Sequence, residues 1–322
     1  MEEMDLKMRK IYLRIDGACG NQFFQYAFAR MIQEKVGGDL TIDYEYVRKL
    51  STLWSGSDNL LKDFNTVPYR YVAKAQNPKL ICFRIIRFIK KRLHLRDYDK
   101  RTYQYYLWIA KRLEKFGIYF FGSAYFPFRF YPNDNIIIHG FFESPKYFAE
   151  IDDKICRELT PKHPLLEQNI ELYDIITKKS SVCISIKRQD VENPDISAVY
   201  QYDMNYFYHA AEYIRERVPD AVWVIFSDNV EWCKENFHPE GEVYYETPNN
   251  PIWEKIRLMS SCKHFIIHNS TFSWWVQHLS RNPDKIVIAP IKWMLRDDQP
   301  IDIYEDNWVY MTNDGEERNY HD

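Results

Sequence analysis

Five short apolar runs punctuate the second half of the sequence: "VCISI" (182–186), "VWVIF" (222–226), "VYY" (243–245), "HFII" (264–267) and "KIVIA" (285–289). Between most of them lie stretches of helical pattern, at 202–217, 230–237, 251–261 and 272–280. Strands alternating with helices of this length imply a parallel sheet covered on both faces, because parallel neighbours need a crossover and the crossover helix buries the sheet. The chain also begins this way. "IYLRI" (11–15) alternates apolar and polar residues, "DGACGN" breaks the run with two glycines, and Phe24, Ala27, Phe28 and Met31 then recur at helical spacing up to Gly37 and Gly38. "LTIDYEY" (40–46) reads as a second strand, and 136–151 as strand, turn and helix. The fold class is therefore α/β. A polar, proline-bearing stretch at 160–169 begins a crossover, which divides the chain into 1–170 and 171–322.

The region from about 50 to 135 gives less. Within it, 80–95 predicts a helix with Ile81, Ile85 and Ile89 on one side and Arg84, Arg87 and Lys91 on another. Charge is concentrated here. Residues 79–115 hold 12 Lys/Arg against three Asp/Glu, a local +9 in a chain whose net charge is −3. The total gives no nucleic-acid signal, whereas the local block fits either a solvated helical face or peripheral attachment to anionic lipid beside a lipid-linked glycan. The six cysteines are scattered without paired spacing and read as reduced, cytosolic thiols. The first residues lack the apolar core of a signal peptide, and no run approaches the length of a membrane span. The expected location is cytoplasmic, with peripheral contact at the inner membrane face.

In open parallel sheets ligands bind at the carboxyl ends of the strands. Lys187, Arg188, Gln189 and Asp190 follow "VCISI", Ser227 and Asp228 follow "VWVIF", and His268, Asn269, Ser270 and Thr271 follow "HFII". A helix starting near Phe272 offers unpaired N–H groups and a partial positive charge, so Ser270 and Thr271 either cap it or join it in cradling a phosphate. Lys187 and Arg188 would supply formal charge, and Asp228 would accept from a guanine or a ribose. Together these residues describe a nucleotide-diphosphate site. "GACGNQ" is neither a dinucleotide fingerprint nor a P-loop; a phosphate loop and a plain glycine turn both fit it. The DxD spacing, Asp97-Tyr98-Asp99, lies inside the basic tract, a poor setting for a metal. His139, His264 and His268 are not at ligand spacing and take ordinary structural roles. No metal site is expected.

"GACGNQFFQYAFAR", "HGFFESPKYF", "FSDNVEWCKENF", "MSSCKHFIIHNSTFSWW" and "NPDKIVIAPIKW" resemble, in order, segments of family 11 glycosyltransferases, the alpha-1,2-fucosyltransferases. The matches run from residue 11 to 293. The resemblance implies a GT-B fold, two Rossmann-like domains facing a cleft, with the acceptor on the N-terminal side and GDP-fucose on the C-terminal domain. It implies metal-independent, inverting transfer of fucose to the 2-hydroxyl of a galactose-terminated oligosaccharide or lipid-linked glycan, with no cofactor beyond the donor. "SIKRQD" departs from the family's His-x-Arg-Arg-x-Asp: Ser185 stands for His, Lys187 for Arg and Gln189 for the usual Gly, while Arg188 and Asp190 remain. Glu143 replaces the usual Gln. An altered donor or acceptor, or a degenerate nucleotide-sugar-binding relative, is the alternative these changes raise.

The resemblance implies that Lys187, Arg188, Ser270, Thr271 and the helix N-terminus stabilise charge on the leaving diphosphate, with Ser185, Ser227, Asp228, Asn269 and Ser273 completing the donor site. Gly17, Gly20, Asn21 and Gln22 would face donor or acceptor from the first loop. Candidates for the base are Asp190, Glu143 and Glu192; Asp190, placed at the cleft by the motif, either takes the proton or orients Arg188. Trp274 and Trp275 are expected in the core beneath the phosphate loop.

Overall fold

A computed structural model describes residues 9–50, 59–96, 99–188, 203–294 and 299–318, and the description is of these residues. The chain forms two α/β units. The first comprises Met1–Leu159 with Asp297–Ile303, the second Thr160–Arg296 with Tyr304–Asp322.

The first unit carries β1 (Lys10–Arg14), α1 (Cys19–Val36), β2 (Asp39–Asp43), α2 (Glu45–Leu50), β3 (Arg70–Val72), α3 (Ile81–Arg92), α4 (Lys100–Leu113), β4 (Ile118–Phe121), β5 (Asn135–Gly140) and α5 (Asp152–Glu158). Its sheet runs β3-β2-β1-β5-β4 with every neighbour parallel. From β1 the strand order grows one way through β2 and β3, while β5 and β4 lie on the other side. The order therefore reverses between β1 and β5. Nearly every residue of α1 from Cys19 to Ile32 is buried, more than the one apolar stripe seen in the sequence.

The second unit carries β6 (Ser180–Ile186), β7 (Ala221–Ser227), β8 (Val243–Tyr245), β9 (His264–Ile266), β10 (Val287–Pro290), β11 (Val309–Met311) and β12 (Glu317–Arg318). Its helices are α6 (Ile170–Lys178), α7 (Met204–Arg217), α8 (Val230–Asn236), α9 (Ile252–Ser260) and α10 (Thr271–Leu279). The sheet order is β12-β11-β10-β9-β6-β7-β8, parallel except for the β11–β12 pair. Here the order reverses between β6 and β9.

Two expectations change, and the buried face of α3 is decided. The units divide after Leu159 rather than at 170, because the intervening segment is bonded to α9. Glu254, fully buried, accepts from the Leu166 N–H and from Asn169 Nδ2, each at 2.9 Å. The second strand stops at Asp43, and Glu45 opens a helix instead of continuing "YEY". Most consequentially, the inner face of α3 is Phe83 and Ile86, which pack with Ile109, Ile118 and Ile137. The isoleucine stripe 81/85/89 faces outward. Both faces hold apolar side chains, so periodicity alone could not choose between them.

Candidate functional site

Ligands in open parallel sheets sit beyond the strand ends where strand order reverses. In the second unit that place is the β6/β9 junction, with β7 on the far side of β6. Lys187 and Arg188 leave β6 there, half-buried. The Arg188 N–H donates to Asp228 Oδ1 at 2.6 Å, which pins the end of β6 to the end of β7. Its guanidinium lies 3.7 Å from the centroid of the Trp232 ring on α8. Asp228 thus holds a backbone bond as well as the position foreseen for it. Ser227 Oγ accepts from the Asn229 N–H at 3.0 Å, which tightens the same turn.

Across the reversal, the chain after β9 enters α10 through Asn269 and Ser270. Ser270 Oγ accepts from the Phe272 N–H at 3.3 Å, so the hydroxyl caps the helix. Asn269 Nδ2 donates to the Trp293 carbonyl at 2.7 Å, while its Oδ1 is buried and meets no donor among the described residues. Thr271 is the first residue of α10 and half-buried. Trp274 and Trp275 are fully buried in edge-to-face contact, as core residues.

Two donor candidates take another role. Ser185 Oγ lies 2.9 Å from Ser273 Oγ, and Ser273 Oγ lies 3.0 Å from His268 Nδ1. All three residues are buried, so the hydroxyls are spent tying β6 to the start of α10 rather than lining a ligand. Tyr206, which carries no local sequence signal, donates to the Ile267 carbonyl at 2.6 Å and lies 3.0 Å from that of Ile288. A buried tyrosine needs a partner for its hydroxyl, and this one fixes the exit of β9. Asp190 and Glu192, with Gln189, lie outside the described residues, as do Asp97 and Tyr98.

The first unit has its own cavity at its own order reversal. It encloses about 360 Å³. Asp16 follows the end of β1, His139 and Gly140 end β5 with Phe141 just beyond, and Gly122 and Ser123 follow β4. Phe83, Ile86, Arg87 and Lys90 of α3 form another wall. The Asp16 loop is braced by a side chain of α1. Gln25 Oε1 accepts the Asp16 N–H and Gln25 Nε2 donates to the Asp16 carbonyl, both at 2.9 Å. Gly17 adopts φ +79°, and a Cβ there would stand 2.5 Å from Asn21 Nδ2. Gly20, Asn21 and Gln22 form the first turn of α1 rather than a loop, with Gln22 Nε2 bonded to the Gly17 carbonyl at 3.1 Å.

Charge in this cavity is uneven. Arg14 is spent on Asp43, with Nη2 2.8 Å from Oδ2. No ion pair among the described residues holds Arg87, whose guanidinium lies 4.8 Å from the Tyr46 centroid. Burial raises the Asp16 carboxyl pKa, opposed by the Gly17 N–H and by Arg87 and Arg14. His139, expected to be merely structural, is on the cavity wall. Burial and then Arg14 drive its pKa down to about 3, so it stays neutral. Glu143 is not among the lining residues. It is buried behind Ser123, and burial pushes its carboxyl up to about 7.

These shifts give a pH prediction. Between its ordinary value of 4.5 and about 7, Glu143 keeps its proton in the folded state and loses it on unfolding. The folded state binds more protons in that window, so this group removes stability as pH rises. His139 and His268, both held down to about 3 chiefly by burial, act oppositely and remove stability as pH falls below 6.5. Two histidines outweigh one carboxyl, so stability should rise with pH to about 6.5. Glu143→Gln should add roughly 3 kcal/mol at pH 8 and almost nothing at pH 4. Urea unfolding at the two values checks this, and equal gains at both would reject it.

The sequence profile of Glycosyl transferase family 11 matches residues 10–312. An alpha-1,2-colitosyltransferase of Escherichia coli is 29% identical over 314 residues, covering 94% of this chain and 99% of that one. The O-antigen biosynthesis glycosyltransferase WbnK of Escherichia coli is 27% identical over 94% of this chain and 100% of its own. Human galactoside alpha-(1,2)-fucosyltransferase 1 is 28% identical over 119 residues, 35% of this chain and 32% of that one. The profile spans both units and both order reversals: the chain belongs to glycosyl transferase family 11.

Proposed function

We propose that the protein moves fucose from GDP-fucose to the 2-hydroxyl of a terminal galactose, with inversion and without a metal. The observation that carries this reading is the convergence of Lys187, Arg188 and the Asn269–Thr271 turn at the β6/β9 reversal of a family 11 chain. Negative charge grows on the β-phosphate as the glycosidic bond breaks. The two cations and the N–H groups at the start of α10 are donors fixed before that charge appears. One such donor is worth about 3–4 kcal/mol of barrier. The sugar centre passes through an oxocarbenium-like state, and the acceptor hydroxyl attacks from the opposite face with help from a carboxylate. Asp190 keeps that assignment from the motif. Of the described carboxylates, Asp16 lines the first unit's cavity and is the group an acceptor sugar there would meet, whereas Glu143 lies behind the wall.

The similarity to a colitosyltransferase along the full chain, with Lys187 and Gln189 in the phosphate segment, favours a second reading in which the donor carries a different deoxyhexose or turnover is lost. GDP release from GDP-fucose in excess EDTA, with and without lactose, separates them. Galactoside-dependent release at an unchanged rate in EDTA, with an alpha-1,2 product, is the expected result. Binding of GDP-fucose without turnover on any galactoside would move the acceptor assignment. No binding would remove fucose as donor and leave the second reading.

A further inference from the structure

We propose that the outer face of α3 docks the protein on an anionic lipid surface. Ile81 and Ile85 are each 49% exposed, Phe88 69%, Ile89 37% and Leu93 48%. At about 100° per residue, positions 81, 85, 88 and 89 fall within one arc roughly 100° wide. Large apolar side chains exposed singly are ordinary, but a contiguous arc on one helix marks an interaction surface. The arc is bordered by exposed Arg84 and Lys91, and Arg92 stands within it.

The charge around it identifies the occupant. Residues 79–115 carry 12 Lys/Arg and three Asp/Glu. A second copy of the same basic face would repel this one, whereas phosphate headgroups neutralise it while their acyl chains receive the apolar arc. On the adjoining helix Trp108 and, just past its end, Phe116 are also more than half exposed. Arg112 covers the Trp108 ring at 4.2 Å, and Lys115 lies 5.0 Å from the Phe116 centroid. Ring-and-cation pairs of this kind suit the headgroup zone, where the ring is half-dry and the charge is solvated. Among the described residues no helix is long and apolar enough to cross a membrane, so the contact is interfacial.

The opposite face of the same helix gives the docking a purpose. Phe83, Ile86, Arg87 and Lys90 wall the first unit's cavity. A helix lying in the interface would bring that cavity to the depth at which a glycan hangs from a lipid carrier. The docking itself does not depend on the donor assignment, because the test reads lipid binding and not turnover.

The full chain would be sedimented with vesicles of phosphatidylcholine alone and with vesicles containing about one-third phosphatidylglycerol. Binding is expected to the anionic vesicles only, and to weaken on raising salt to about 0.5 M. The double variant Ile85→Ser, Phe88→Ser should lower the partition coefficient roughly tenfold or more, since both side chains are already exposed and the fold has no need of them. Arg84→Glu with Lys91→Glu should lower it by a similar factor, with unfolding midpoints unchanged in both variants. Three results would overturn the proposal: no binding to anionic vesicles, binding undiminished by the serine variant, or a wild-type dimer in light scattering that the serine variant abolishes.

Discussion

Replacing Arg188 by Ala is expected to lower kcat/KM for glycosyl transfer by roughly 10²–10³, while the melting temperature moves by only a few degrees. Its backbone N–H keeps the 2.6 Å bond to Asp228 in any side-chain variant, so the strand end stays pinned. The loss is confined to the guanidinium. Among the described residues, folding loses its contact with Trp232, worth about 1 kcal/mol at a half-buried site. A few degrees is what such a loss produces in a unit of this size. On the proposed function, transition-state stabilisation loses a planar, permanently charged donor, and the penalty is expected on kcat as well as on donor affinity. Arg188→Lys should recover part of the activity, because charge remains while the fork is gone. Lys187→Arg is the converse change and should raise activity if this chain's clamp is weakened. Steady-state kinetics beside calorimetry make the separation. If Arg188→Ala turned over within threefold of the parent, the diphosphate would have to be held elsewhere.

Gly140→Ala is expected to destabilise the first unit by about 4 kcal/mol or more. Gly140 ends β5 at φ +155°, paired with Phe121 of β4. A Cβ there would stand 2.0 Å from the Phe121 carbonyl oxygen. The clashing atom is backbone within a ladder, so no side chain can swing aside. Two residues on, Phe142 has φ +52° and is held there by stacking on Phe28 at 4.1 Å. An aromatic residue in the left-handed region costs of order 1–3 kcal/mol and persists only where packing enforces it. This strained turn forms the cavity wall beside His139, which ties the fold prediction to the site. Denaturant unfolding of the purified variant checks it, and stability within 1 kcal/mol of the parent would show that the ladder can part there.

The regular elements of the second unit were legible because each was a short apolar run bounded by a helical stretch. Observed bounds such as Ser180–Ile186 and Thr271–Leu279 lie within two residues of those read from sequence. The three-residue edge strand β3 and the two-residue edge strand β12, both with exposed patterns, gave no such signal, because an edge strand needs little apolar surface, and the internal strand β11 is only three residues long. The site divides similarly. That Lys187, Arg188 and Asp228 leave adjacent strands follows from chain order once the sheet is parallel. That Ser185 and Ser273 bond each other and His268 does not follow, because 88 residues separate the two serines and nothing local pairs them.

By itself, then, the sequence determined the inner strands β6, β7, β9 and β10 of the second unit, that its sheet is parallel, and which polar residues stand at the carboxyl ends. Period and punctuation are local properties, and a local pattern carries them. Only the tertiary structure decided which hydroxyls are consumed by packing, that Asp16 and His139 share a cavity, and that α3 turns Ile81, Ile85 and Ile89 outward. Those outcomes depend on which surfaces compete for burial. Phe83 and Ile86 won the inner face of α3 because Ile109, Ile118 and Ile137, brought from distant parts of the chain, were there to meet them.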